Sequence, residues 1–410
     1  MQKRVAGDEY YKDRRLAALM LQAEDILSHA YPRFVWASHP DMRNDGVPVF
    51  IFHDITAEDF EKKLRFLKEN EYHTVDADAI HGFLLDEVRL PSRSVVLTLD
   101  DGRRDVWTIA YPLLKKYGCK AVVFLIPSYV ADDSTPGKNL EDVWAGRATM
   151  EDLSDGEHGD RRFISWAEAC VMHEDGVVDF QSHGLYHRPI PVSERIVDFV
   201  RPGIVSRFFF DFGIPLMDRE EAEKPVFSNL YGAPIYEYAP LFSERRQYRE
   251  DPCLSRACLS FVDKHGRETF FMGSGWRRRL MKSVKSHRKQ QGGAPAFETG
   301  AEQRRRMEEN LRSAREIIED RLPGKSVGHL AYPWGKGSDV AVKCSKRSGY
   351  VSNFWRLLPN RRANKPGDDP YHTVRLKHDF IWRLPGKGRK SLPEVFGFKA
   401  MRRLRGIVDY

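Results

Sequence analysis

Apolar residues in this chain recur at two alternating spacings. Val49-Phe50-Ile51-Phe52 is a short run of strand type, Phe60, Leu64, Phe66 and Leu67 recur at helical spacing, and Ser94 to Leu99 is a second strand run. Val106 to Tyr117 predicts a helix, with Gly118 just past its end where helices commonly stop. Ala121 to Ile126 follows, apolar throughout, as strands covered on both faces are. Ser165 to His173 predicts a helix and Val177 to Ser182 a strand. After a break the rhythm resumes with Glu302 to Arg321 as a charged amphipathic helix, His329 to Tyr332, Val340 to Gly349 and Tyr350 to Trp355. Strand, helix and strand in alternation predict an α/β fold with a parallel sheet, either a barrel or a doubly wound sheet.

Three segments depart from this rhythm. Residues 1–45 read as a helical extension (Tyr11 to His29) with an irregular approach, and about 130 to 162 as a polar loop. The stretch 188–300 is rich in Arg, Pro and aromatics and reads as an insertion ending in a disordered patch, Gln290 to Gly300. It contains the basic run Trp276-Arg277-Arg278-Arg279-Leu280-Met281-Lys282. Residues 386–410 form a basic tail with Phe396, Phe398, Met401, Leu404 and Ile407 interleaved, leaving 46–385 as the main domain.

At 410 residues the chain can bury a large core. Its net charge of +7 suits an anionic substrate or a membrane surface and gives no argument for nucleic acid as a partner. Cys119, Cys170, Cys253, Cys258 and Cys344 are scattered without a CxxC pair, which argues against a disulfide framework and for a reducing compartment. The first residues lack the apolar stretch of a secretory signal, and no run approaches the roughly 20 apolar residues of a membrane span. The expectation is a cytoplasmic protein, peripheral at the inner face of the membrane, with the basic tail on anionic lipid.

The candidate chemistry lies at two strand ends. Leu97-Thr98-Leu99-Asp100-Asp101-Gly102 puts adjacent carboxylates at the end of an apolar strand, where they are costly unless a cation or a reacting proton engages them. The strand ending at Ser182 delivers His183-Gly184-Leu185-Tyr186-His187. Asp101, His183 and His187 can hold one metal ion with positions left open, and Asp100 is then available as general base. Gly184 stands where a thermolysin-type HExxH helix needs Glu, so that chemistry is disfavoured.

These stretches resemble the polysaccharide deacetylase (NodB-homology) family of carbohydrate esterases. Thr98-Leu99-Asp100-Asp101-Gly102 is similar to the first motif and Ser182-His183-Gly184-Leu185-Tyr186-His187 to the second. Phe163 to Val178 resembles the approach to the second motif, and Ala331-Tyr332-Pro333-Trp334-Gly335 the third. The nearest branch is that of poly-N-acetylglucosamine deacetylases.

The resemblance implies a distorted (β/α) barrel with a large insertion. It implies Asp100 as base and Asp101, His183 and His187 as ligands of one divalent ion, with Zn preferred and Co, Ni or Mn able to serve. The backbone N–H of Arg103 would steady the oxyanion, with Tyr332, Pro333 and Trp334 against substrate. The general acid would be His53, in Phe52-His53-Asp54, in preference to His378, in Leu376-Lys377-His378-Asp379. Ala331 stands where many members begin the third motif with an Arg that orients the base, so another group must hold Asp100.

The function expected from this resemblance is metal-dependent removal of an N-acetyl group from an amino sugar in a glycan or its lipid- or nucleotide-linked precursor. The setting would be surface polysaccharide biosynthesis. Deformylation or O-deacetylation on the same site, and glycan binding at a decayed site, are the alternatives.

Overall fold

The computed structural model describes residues 30–38, 46–153, 162–202, 227–291, 296–359 and 361–404. The expected helix from Tyr11 to His29 lies outside them. The described residues fall into two compact units, one of residues 187–307 and the other of the chain before and after it.

The larger unit is a parallel α/β barrel. Its strands are β1 (Val49–Phe52), β2 (His73–Thr74), β3 (Ser94–Asp101), β4 (Ala121–Leu125) and β5 (Val178–Ser182). The smaller unit contributes β6 (Ile190–Phe199), β7 (Pro234–Ala239), β8 (Tyr248–Arg249) and β9 (Ala296–Phe297). The barrel then resumes with β10 (His329–Ala331), β11 (Ser352–Trp355), β12 (Thr373–Val374) and β13 (Leu376–Lys377). The order around the sheet is β12-β11-β10-β5-β4-β3-β1-β13, with β2 beside β3. Each of these pairings is parallel.

Both ends of that series are one stretch of chain, 373–377: its first half pairs with β11 and its second with β1. A single stretch that completes both edges closes the sheet, which decides for a barrel over an open doubly wound sheet. Asn364 fastens the seam. Its side-chain amide donates to the carbonyls of Val47 (3.1 Å) and Val374 (2.9 Å) and accepts from the N–H of Val374 (2.9 Å). The Val47 N–H donates to the Asn364 carbonyl.

Local chemistry accounts for most element ends. β3 is buried along its whole length, and it runs past the expected end at Leu99 to include both Asp100 and Asp101. Ser165 caps the helix Trp166–Glu174, bonding the Glu168 N–H while Glu168 bonds back. Gly118 ends the helix Tyr111–Tyr117 in the left-handed region, whereas Val106–Ala110, expected as part of that helix, is a π-helical turn. The expected loop from 130 to 162 contains a short helix, Leu140–Trp144, stabilised by the reciprocal Asn139 and Asp142 cap.

In the smaller unit β6 and β7 pair antiparallel, as do β8 and β9. Helices Pro252–Lys264 and Trp276–Gln291 close over a core that includes Phe199, Tyr236, Leu254, Val262, Leu280 and Val284. The expected disordered patch is mostly ordered at its flanks, with helix up to Gln291, β9, and the helix Gly300–Arg321; only 292–295 lie outside the described residues.

Asn364→Ala leaves three backbone groups at the seam without their partner, each worth about 1–3 kcal/mol when buried. Urea unfolding is expected to show a loss of about 3 kcal/mol or more. A loss under about 1 kcal/mol, in the range of an ordinary surface change, would show that the seam is held by other contacts.

Candidate metal and acid–base site

In a parallel barrel every strand ends on the same face, so side chains at the strand ends converge there. β1 ends one residue before His53, β3 ends with Asp100 and Asp101, β5 ends one residue before His183, and β10 one residue before Tyr332. Asp101 and Gly102 have φ of 74° and 71°, both in the left-handed region. Only glycine fits the second position, because a Cβ on Gly102 would lie 2.4 Å from Cδ2 of Leu125. Asp101 carries a side chain in that region, a strained conformation held by the buried surroundings.

Both histidines sit on the loop after β5 rather than on a helix. That loop is fixed at several points: the His183 N–H donates to the Leu125 carbonyl at 2.7 Å, the Leu185 N–H to Asn310 Oδ1 at 2.9 Å, and the Ser128 hydroxyl to the Leu185 carbonyl. His183 Nδ1 lies 2.8 Å from the Ala331 carbonyl, and a carbonyl can only accept, so Nδ1 carries the proton and Nε2 is left as a lone-pair donor. Burial pushes the His183 pKa down against the pull of Asp100, which keeps the ring neutral.

Asp101, His183 and His187 are all buried and offer ligand atoms within 4.8 Å of one another. His183 Nε2 is 3.5 Å from Asp101 Oδ1. Two imidazole nitrogens and one carboxylate oxygen, clustered with a lone pair already directed inward, fit a divalent cation with positions to spare.

Asp100 is 2% exposed, and Arg375 is the group that holds it. Arg375 Nη1 donates to Asp100 Oδ1 at 2.6 Å and lies 3.3 Å from Thr98 Oγ1, while Nε donates to the Trp355 carbonyl at 3.3 Å. Burial works against ionisation of Asp100. The guanidinium of Arg375 and the imidazoles of His183 and His53 outweigh it and hold the carboxyl below the usual carboxylate range. Arg375 supplies the cation that Ala331 does not. Its only signal in the sequence is one Arg enclosed by Val374 and Leu376.

The remaining candidates divide. His53 Nε2 is 4.0 Å from Asp100 Oδ2, and its side chain is partly exposed. His378 is buried and stacked on Phe52 with ring centroids 4.6 Å apart, its Nδ1 4.0 Å from Asp59. Arg103 follows Gly102, and its guanidinium pairs with Asp54 at 2.6 Å. Trp334 is half-buried with φ of 63°, in the short turn Pro333–Gly335 three residues past the end of β10. Tyr332 and Pro333 are buried, and the Tyr332 hydroxyl accepts from Asn353 Nδ2 at 2.7 Å. The Tyr332 ring lies 4.8 Å from that of Trp355.

Residues 87–197 match the family model described as polysaccharide deacetylase. This stretch is therefore similar to polysaccharide deacetylase domains. It contains Asp100, Asp101, His183 and His187, whereas His53, Trp334 and Arg375 lie outside the matched residues.

Among curated relatives, YxkH of Bacillus subtilis (strain 168), provisionally named a polysaccharide deacetylase, is 32% identical over 88 residues, which are 20% of this chain and 32% of that one. A poly-beta-1,6-N-acetyl-D-glucosamine N-deacetylase of Staphylococcus epidermidis is 23% identical over 131 residues, 32% of this chain and 37% of that one. The chain thus spans about a third of the length of these relatives. Among solved structures, a de-N-acetylase from Aggregatibacter actinomycetemcomitans is similar with a TM-score of 0.47 at 17% identity, over 81% of this chain and 93% of that chain. Likeness at that level says nothing about chemistry.

Removal of the Arg375 charge leaves burial to act alone on Asp100, so Arg375→Met raises its pKa. Below that pKa the base is protonated and idle. The acid limb of the pH–rate profile therefore moves to higher pH, and Arg375→Lys moves it less. The folded protein holds ionised Asp100 below the ordinary carboxylate range, so the stability from this pair is complete above that range and disappears as pH falls through the lowered value. An acid limb unmoved in Arg375→Met would show that Arg375 does not set the state of Asp100.

Proposed function

We propose that the chain is a metal-dependent hydrolase that removes the N-acetyl group from an amino sugar within a glycan or its lipid- or nucleotide-linked precursor. The observation that carries this reading is the ionised, buried Asp100–Arg375 pair beside the Asp101, His183 and His187 cluster. A base and an ion site at one barrel mouth are the parts amide hydrolysis needs, and the names of the curated relatives support the same acyl chemistry.

A divalent cation held by Asp101, His183 and His187 would supply Lewis acidity at the acyl carbonyl, and Zn suits the donor set. Asp100 takes the proton of the attacking water as the new C–O bond forms. The N–H of Arg103 donates to the oxygen that gains charge. As the C–N bond breaks, His53 delivers a proton to the leaving nitrogen, so acetate and a free amine result. His53 is assigned this role because it lies beside Asp100, whereas His378 is stacked beneath Phe52. Trp334, presented in a strained turn at the mouth, offers a flat apolar face to a sugar ring.

Acetate and formate release from a panel of N-acetylated glycans and nucleotide sugars tests the reaction. The metal-loaded chain is expected to release acetate with a new amine. Asp100→Asn is expected to lower kcat by about 10²–10⁴, and His183→Ala to lose both bound metal and activity. Formate, or acetate without an amine, would move the assignment to deformylation or O-deacetylation; no release and no bound metal would overturn catalysis.

A second measurement concerns the acid. His53→Gln should abolish the basic limb of the pH–rate profile, while His378→Gln should leave that limb in place and lower thermal stability. The reverse pattern would exchange the two roles.

A further inference from the structure

The helix Trp276–Gln291 carries Arg or Lys at 277, 278, 279, 282, 285, 288 and 289 and no acidic residue. Its inner side is matched within its own unit. Leu280 and Val284 are buried in the core, Arg277 Nη1 donates to Asp198 Oδ1 at 2.8 Å, His287 Nε2 lies 2.8 Å from Asp251 Oδ2, and Arg288 Nη2 donates to the Glu194 carbonyl at 2.6 Å. The outer side is different. Arg278, Lys282, Lys285 and Lys289 are all exposed and bond to no described residue.

Their spacing of four, three and four residues places them in one stripe, about 16 Å long. Like charges at these spacings destabilise a helix, so the stripe is not explained by the stability of the helix itself. A merely solvated face would mix signs, as the helix Gly300–Arg321 does with pairs such as Arg315 and Glu319 at 3.0 Å.

A second feature lies just ahead of the helix. Met272 is 85% exposed, the most exposed large hydrophobic residue among those described, on a turn leading into Gly273-Ser274-Gly275. An exposed apolar side chain at the end of the short helical turn Arg267–Met272, just ahead of a row of cations, fits a lipid interface with anionic headgroups. A single-stranded nucleic acid would need aromatic platforms, and the exposed large residue here is a methionine. The amine released by the proposed reaction is itself cationic, so the stripe repels product and does not track it. The side chains of the basic tail from 402 onward lie outside the described residues.

We propose that the outer face of the helix Trp276–Gln291 docks on an anionic lipid surface, with headgroup phosphates on Arg278, Lys282, Lys285 and Lys289 and Met272 entering the interface.

Co-sedimentation of the full chain with vesicles tests this. Binding is expected to phosphatidylcholine vesicles containing phosphatidylglycerol, not to phosphatidylcholine alone, and should vanish near 1 M salt, where screening acts within about 3 Å. The quadruple variant R278Q/K282Q/K285Q/K289Q should lower the partition by about a hundredfold or more, with deacetylase activity on soluble substrate unchanged. A charge-matched control on the other unit, K68Q/R89Q/K138Q/K343Q, should retain binding. Should the quadruple variant melt early, R278Q/K282Q and K285Q/K289Q each read part of the same loss.

No binding of the unmodified chain to the anionic vesicles overturns the proposal, as does an equal loss in the control. Binding to heparin without binding to vesicles assigns the stripe to a soluble polyanion instead.

Discussion

A carboxylate that is 2% exposed stays ionised only with a cation against it, and in this barrel Arg375 is that cation. The rest of the mouth follows from the pair. Arg375 sits at the seam between β12 and β13, so the residue that neutralises Asp100 is also carried by the stretch that closes the sheet. Its guanidinium reaches Thr98 and Asp100 on β3 and the carbonyl of Trp355 on β11. Loss of either partner leaves a buried charge uncompensated, a cost of about 3–5 kcal/mol. Folding of the seam and readiness of the base are thereby one requirement.

Around that pair the geometry is set by backbone as much as by side chains. Asp101 at the end of β3 and Trp334 in the turn after β10 both adopt left-handed conformations, each followed by a glycine with φ of 71° or 62°. Strain of this kind persists where surrounding packing over-determines the position, and it aims a side chain that relaxed backbone would turn away. The Ala331 carbonyl has a role of the same sort: by accepting from His183 Nδ1 it fixes the tautomer and directs Nε2 toward Asp101. A backbone carbonyl does this whatever the side chain, which is how Ala331 can occupy a position beside the site without contributing a functional group.

Charge is partitioned in a comparable way in the smaller unit. The helix Trp276–Gln291 uses acids on its neighbours, Asp198 and Asp251, to neutralise its inner side, and leaves a single-sign row outside. In the helix Gly300–Arg321 opposite signs alternate along the chain, and Arg315 pairs with Glu319 four residues on. The first helix carries seven basic and no acidic residues and the second six of each, so sign balance as well as pairing separates a solvated face from one that presents charge.

Much of this was readable from local pattern. Strands β1, β3 and β4 are apolar runs dense enough to be recognised without neighbours, β5 alternates Val178 and Phe180 with polar residues, and Asp100, Asp101, His183 and His187 stand at fixed offsets from the ends of β3 and β5. The caps at Ser165 and Gly118 are local in the same sense. The closing strands β12 and β13 are two residues each, too short to carry a period. Nothing local in the chain therefore marks Arg375 as the partner of Asp100, 275 positions away, or shows that Tyr332 is buried against Trp355. Periodicity and motif spacing act over a few residues and so were legible in the chain itself. Which cation is brought to which buried carboxylate depends on how the sheet closes, and only the folded barrel decides that.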